Sequence, residues 1–264
     1  MVKESWVGRS TNYETYWDSP ESVSEYSAAP YLHRGERLAL AACLEGGLAG
    51  RQVLDLACGA GRTTYFLQQM GAQVIGVDIA ENLIRAARKD FPGIDFRVGD
   101  AESLEEFEDH SFDAVQFSWN SLDVLYPKEK RLNSLHEIWR VLRPNGAFVF
   151  SHHNLAALFC GWYRTLRPAK LHYRLTHILN GNALKSECYL PEFCVPGMKT
   201  YFAWPKQVIA DLRHVGFEPA HIFPNDPVLW FLQRLLRTER LTRLADPWPF
   251  YVCHKVAASA DQSR

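Results

Sequence analysis

Two aspartates and two glycines mark where the chemistry of this 264-residue chain is concentrated. Asp55 lies near the end of an apolar run. Gly59 and Gly61 follow within VLDLACGAGRTT (53–64), and Asp78 closes the next run, QVIGVD. Glycines at those positions let backbone approach a ligand that side chains would hold off. A carboxylate at 78 is placed to take both hydroxyls of a ribose, because ligands of open α/β sheets sit outside the carboxyl ends of the strands. Asp55 suits a ligand with an ammonium or sulfonium group and is a poor neighbour for a doubly charged pyrophosphate. The dinucleotide pattern G-x-G-x-x-G fails at its third glycine, which is Thr64 here. A P-loop is excluded because no Gly-Lys-Ser/Thr follows.

A second constellation is Ser151-His152-His153-Asn154. Histidine titrates in the range useful for a general base. Successive strand residues point to opposite faces, so one of His152 and His153 is expected to face a cleft. The bland alternative is one polar loop histidine and one hydrogen-bonded structural one. A metal site at this pair is set aside, since no third ligand has suitable spacing.

These residues need elements to position them. Residues 34–46 have helical spacing with Gly46-Gly47 as the stop. From residue 51 short apolar runs alternate with helical stretches. Strands are expected at 52–57, 73–78, 94–100, 112–119, 146–153, 217–223 and 249–256. Helical RTTYFLQQM, ENLIRAARKDF and KEKRLNSLHEIWRVL lie between the earlier strands, with further helices at 204–216 and roughly 227–244. Such alternation implies a parallel, doubly wound α/β sheet with right-handed crossovers. The alternation lapses over 154–200, where no clear strand–helix unit is expected.

In order, VLDLACGAGRTT, VIGVDIAENLIRAAR, VGDAESL, FDAV and LHEIWRVLRPNGAFVF resemble the motifs of class I S-adenosylmethionine-dependent methyltransferases. The likeness is greatest to the small-molecule branch of the ubiquinone/menaquinone biosynthesis methyltransferases. It covers roughly 50–153, and 204–256 more weakly. It implies a Rossmann-like seven-stranded sheet whose last strand is antiparallel. The implied division is an arm or lid at 1–46, a cofactor-binding core at 51–153, a cap insertion at 154–200 and the rest of the sheet at 204–256. It implies S-adenosylmethionine as cofactor. Asp55, Ala57, Gly59 and Gly61 would line its methionine part, Asp78 would hold the ribose hydroxyls, and Ile79 would pack on the adenine. Asp100 would accept from the adenine amino group beside the Ala101 backbone, and Ser118 and Trp119 would stand near the methyl group. Departures from the family pattern are Cys58, and Asn145 where glycine is usual; asparagine tolerates positive φ. The arm aromatics Tyr13, Tyr16, Trp17 and Tyr26 could fold over the cofactor, or simply pack a surface helix. Asn120, Trp162 and Arg164 are the remaining candidates for contact with the acceptor.

Composition narrows the class. At 47% hydrophobic and 22% charged the chain is ordinary globular material. No uncharged apolar run approaches a membrane span. The start has no leader-like apolar core, and six cysteines lie without a CxxC pair, which together predict a cytoplasmic chain with reduced thiols. The formal net charge of −1 conceals an asymmetry: residues 1–150 carry 15 basic and 22 acidic side chains, and residues 151–264 carry 14 and 8. From Leu155 to Ser186 there are five Lys/Arg and no acid, interleaved with aromatics. A basic aromatic cap suits an anionic or amphiphilic acceptor, sugar- or lipid-like. Arg234, Arg237, Arg240 and Arg243 recur every third residue beside leucines, so this stretch could lie on an anionic membrane, or bury its leucines in the core or a dimer contact. The expected partner is a small-molecule methyl acceptor and not a nucleic acid. RNA methylation is a rival, disfavoured because Ser118-Trp119-Asn120-Ser121 lacks an Asn/Asp-Pro-Pro-Tyr-type box. A non-catalytic cofactor-binding protein and a nicotinamide oxidoreductase are the other rivals.

Overall fold

The computed structural model describes residues 16–27, 31–117, 119–159, 168–191, 198–240 and 245–256. Its main sheet contains β1 (Gln52–Leu56), β2 (Gln73–Asp78), β3 (Asp95–Val98), β4 (Phe112–Phe117), β5 (Leu142–Ser151), β9 (Phe217–Phe223) and β10 (Phe250–Lys255). The order is β3-β2-β1-β4-β5-β10-β9. All pairs among the first five are parallel, and β10 runs antiparallel to both of its neighbours. The doubly wound, Rossmann-like sheet with an antiparallel last strand is therefore as the motifs imply.

Helices α1 (Pro20–Tyr26), α2 (Arg34–Ala42), α3 (Arg62–Gln69), α4 (Glu81–Asp90), α5 (Lys128–Val141), α6 (Pro168–Leu179), α7 (Pro205–Val215) and α8 (Pro227–Leu236) complete the order. Alternate residues of each central strand enter opposite layers. Leu54, Leu56, Phe117 and Phe150 share one core with Leu135 and Ile138 of α5 and Leu212 of α7. Val53, Ala114, Val149 and Val252 share another with Leu40 of α2 and Leu67 of α3. Burial on both faces is why these strands read as continuous apolar runs.

Several boundaries differ from expectation. Helix α2 ends at Ala42, short of 46. β5 begins at Leu142, ahead of the Pro144-Asn145-Gly146 punctuation, and absorbs it as an irregularity beside the register shift between Phe112 and Ala114. Asn145 takes φ 63° there. The strand ends at Ser151, so neither histidine belongs to it.

Residues 154–200 do hold regular structure: α6, β7 (Glu187–Pro191) and β8 (Lys199–Ala203). The strands β7 and β8 form, with β6 (His153–Asn154), a second sheet ordered β6-β8-β7. β6 is two residues long and pairs with a strand some fifty residues away, so no local periodicity announces it. Finally, α8 stops at Leu236 because Arg237 turns left-handed (φ 49°) and its N–H bonds back to the Gln233 carbonyl. Helical arginine spacing persists past 236, but a single residue's backbone conformation ends the helix. No described helix is long and apolar enough to cross a membrane.

Candidate functional site

The turn after β1 is built from backbone. Ala57 (φ 50°), Gly59 (φ 55°) and Gly61 (φ 87°) all take left-handed conformations. A Cβ on Gly59 would meet no described residue within 4 Å, so that position opens onto free space among the described residues. One on Gly61 would stand 2.8 Å from the Phe96 ring, so this glycine is required by packing. The Gly59 N–H donates to Asp78 Oδ2 at 2.8 Å and the Ala80 N–H to Asp78 Oδ1 at 2.9 Å. Burial raises the Asp78 pKa, and these backbone donors oppose the rise. Ile79, next along, is half-buried.

Asp55 is fully buried and accepts from Thr64 Oγ1 at 2.7 Å. The residue that breaks the dinucleotide pattern is thus the partner of the acid at the end of β1. β1 and β2 are in register at Leu56↔Val77, and β2 and β3 at Asp78↔Val98. Asp78 and Asp100 therefore stand at adjacent strand ends. Asp100 Oδ1 accepts the Glu102 N–H at 2.9 Å, and the Ala101 carbonyl accepts from Ser134 Oγ.

The arm reaches the same place. Trp17 and Val23 pack against Ala60, Ala80 and Leu83. Asp18 Oδ1 accepts the Asn82 N–H at 2.6 Å, tying the arm to the start of α4. Tyr16 stands edge-on to Trp17, and Trp17 to Tyr26. Tyr13, Ser118, Trp162 and Arg164 lie outside the described residues.

Trp119 (φ 35°) and Asn120 (φ 59°) follow β4 as consecutive left-handed non-glycine residues, an arrangement that costs on the order of 1–3 kcal/mol each. The Asn120 N–H donates to Ser151 Oγ at 2.9 Å, which secures the bend. His33 lies flat on the Trp119 ring, centroids 3.5 Å apart and planes 10° off parallel. Burial, assisted by Arg62 and opposed by Glu36, lowers its pKa to about 4, so His33 is neutral at pH 7. Glu36, fully buried, accepts from both Arg62 Nη atoms (2.7 and 2.9 Å), from Thr63 Oγ1 (2.9 Å) and from the His33 N–H (3.2 Å). This one carboxylate fastens the start of α2 to the start of α3. Sequence reasoning missed His33, Glu36 and Arg62; the capping-box spacing of His33 and Glu36 was the available local signal.

The two histidines separate. His152 is fully buried, its ring facing Tyr201 and Tyr251, and neither ring nitrogen has a hydrogen-bond partner among the described residues. His153 keeps an exposed edge, and its Nδ1 lies 3.0 Å from Asp123 Oδ2, which also accepts the His153 N–H at 2.6 Å. His152 Nδ1 is 3.8 Å from the same oxygen. Burial raises the Asp123 pKa, but the two histidines outweigh it and hold the carboxyl at about 2. Beneath them Arg131 is fully buried, paired with Asp211 at 2.9 Å and stacked 4.2 Å over the Tyr201 ring. Asp123 and Arg131 are further residues the sequence did not single out.

The residues fit S-adenosylmethionine on two structural grounds. The open space at Gly59 beside a backbone-clamped Asp78 is a cradle that a Cβ would fill. Both amide atoms of buried Gln116, in register with Asp55, and Asn120 Oδ1 lack partners among the described residues; buried polar atoms of this kind call for a ligand or water.

Residues 53–146 match a methyltransferase domain family. A demethylmenaquinone methyltransferase of Renibacterium salmoninarum is 32% identical over 165 residues, 61% of this chain and 63% of that protein. The chain thus spans less than two thirds of that relative's length. An S-adenosylmethionine-dependent methyltransferase of Methanosarcina mazei matches with a TM-score of 0.58 at 19% identity, over 82% of this chain and 96% of that one. The [4+2]-cyclase SpnF matches at 0.60 and 16% identity, over 93% and 96%. Likeness at such identities concerns the fold, and the cyclase is a reminder that one fold hosts several chemistries.

Proposed function

We propose, on the premise that this chain belongs to the class I S-adenosylmethionine-dependent methyltransferases by domain match, motif order and fold, that it methylates a small-molecule acceptor. The observation that carries this reading is the Asp78 carboxylate clamped by the Gly59 and Ala80 N–H groups beside open space. Each oxygen keeps acceptor capacity for one ribose hydroxyl. When bound, the cofactor supplies a methyl group already activated by its sulfonium. The protein's task is alignment and exclusion of water, worth up to roughly 7–11 kcal/mol when orientation is good. Asp55 and Gln116 serve the methionine end, Asp100 the adenine, and Trp119 with Asn120 the acceptor side. Trp17 and Val23 close over the turn.

Where the acceptor must lose a proton, His153 is the base and Asp123 its positioning residue. With Nδ1–H given to Asp123, Nε2 is the nitrogen that takes the proton. His152 is sealed in the core and is left a structural role. The acceptor is anionic or lipid-like: the part of the chain beyond residue 150 is basic, and the quinone named in the R. salmoninarum relative is a hydrophobic molecule.

Calorimetry with S-adenosylmethionine tests the premise. Wild type should bind, and Asp78→Ala should bind about tenfold more weakly or worse, a loss of about 1.4 kcal/mol; equal binding would sink the ribose assignment. Transfer of labelled methyl is then screened over quinols, carboxylic acids, phosphosugars and tRNA. Labelling of tRNA alone would replace the small-molecule reading, and tight cofactor binding with no labelled product would favour non-methylating chemistry on this fold.

A further inference from the structure

Helix α8 buries none of its ten residues. Val228, Phe231, Leu235 and Leu236 are 57, 59, 65 and 55% exposed. The first three are spaced i, i+3, i+7 and so form one stripe along the helix. The opposite side is the seated one: Gln233 Nε2 donates to the Ile222 carbonyl, and Trp230 lies under the Arg34 guanidinium at 5.2 Å. The leucines of α8 are therefore not core residues, contrary to one of the two structural alternatives that the sequence leaves open.

The charges around the stripe have one sign. Arg234, Arg237 and Arg240 are exposed, and none takes part in an ion pair among the described residues. Residues 227–236 contain no acid. The flanking acids are turned inward: Asp226 caps α8 by accepting from the Val228 and Leu229 N–H groups, and Glu239 accepts the Ile222 N–H and faces His221. A second copy docked across a twofold axis would set these arginines against their own kind. An anionic surface would neutralise them.

We propose that α8 docks this protein on an anionic lipid bilayer. Val228, Phe231 and Leu235 enter at headgroup depth, and Arg234, Arg237 and Arg240 meet the phosphates. The helix is also fastened to the candidate site. Fully buried Asp246 accepts the Asn225 and Asp226 N–H groups at 2.8 and 3.0 Å through one oxygen and the Trp248 N–H at 2.9 Å through the other. Trp248 packs on Trp119, centroids 5.5 Å apart. Docking would thus bring the Trp119 wall to the membrane surface, where a lipid-like acceptor resides. The docking surface stands without the methyl-transfer reading; the delivery of an acceptor rests on it.

The test is flotation of the full chain with vesicles of phosphatidylglycerol and phosphatidylcholine, against phosphatidylcholine alone, at low and high salt. Wild type should float with the anionic vesicles only and be released by salt. The double variants Phe231→Asp with Leu235→Asp, and Arg234→Glu with Arg240→Glu, should each bind about tenfold more weakly or worse. Wild type without preference for anionic vesicles, or variants that float as wild type does, would overturn the proposal. So would a dimer in sedimentation that the apolar pair of substitutions dissociates, since the stripe would then belong to a second copy. Calorimetry with S-adenosylmethionine on the same samples shows that the variants are folded. It also keeps a failure of docking distinct from a failure of the methyl-transfer reading.

Discussion

The turn after β1 and the junction between β5 and the small sheet both hold buried charge, by opposite means. At the turn, the acid at the end of β2 is satisfied by two backbone N–H groups, one of them only two residues away. At the junction, Asp123, Arg131, Asp211 and His152 are gathered from four separated segments, and several of their polar atoms have no partner among the described residues: Asp123 Oδ1, Arg131 Nε and Nη2, and both nitrogens of His152. The first arrangement is local and is made by backbone donors. The second is a network whose members depend on each other, so that removing one strands the rest.

The largest effect expected from this contrast is at the junction. Arg131→Ala should lower unfolding free energy in urea by about 3–5 kcal/mol, because it leaves buried Asp211 with its nearest cation gone and the neutral Gln207 amide at 2.9 Å. A loss under about 1 kcal/mol would mean that Lys128, 3.5 Å from Asp211, suffices, and that the network is not interdependent. Next, His153→Ala should cut turnover on an oxygen or carbon acceptor by roughly 10²–10⁴-fold with cofactor affinity kept. Retained turnover would remove His153 from the mechanism and leave the junction purely structural.

At the turn the two glycines should part company. Gly61→Ala should be the more destabilising, since its Cβ meets Phe96, whereas Gly59→Ala should cost only the left-handed strain, about 1–2 kcal/mol. Gly59→Ala should nevertheless weaken S-adenosylmethionine binding in calorimetry; unchanged affinity would deny that the open space is the cradle.

The smallest effect is in pH. His33, with its pKa near 4 against an ordinary 6.5, resists protonation when folded, so the unfolded chain takes up the proton first. Its contribution is complete above about 6.5 and is lost as pH falls towards about 4. Asp246, raised to about 6 by burial, has the opposite slope in much of the same range. The measurement is therefore the difference in urea midpoint between wild type and His33→Gln. Wild type should lose stability relative to the variant as pH drops through that window, and a flat difference would place His33 in solvent.

Most of the main sheet was legible because parallel strands buried on both faces leave apolar runs, and their crossover helices keep a 3.6-residue period. The glycine turn was legible for the same local reason: Asp55, Gly59, Gly61 and Asp78 lie within one strand–turn–helix–strand unit. The small sheet was not. β6 has two residues, and its partner β8 follows a helix and a strand. The end of α8 at Leu236 was hidden too, since arginine spacing continues past the residue whose backbone turns.

By itself the sequence determined the order of strands and helices in the main sheet, the glycine turn with its two acids, and the opposite charge of the two parts. Each is a property of residue type and spacing along the chain. Only the tertiary structure decided which histidine keeps an exposed edge, that Asp123 holds it, that His33 covers Trp119 and that the α8 leucines lie outside the core. Those outcomes depend on contacts between segments tens of residues apart or more, where burial and a partner's charge, and not the identity of a side chain, set what it can do.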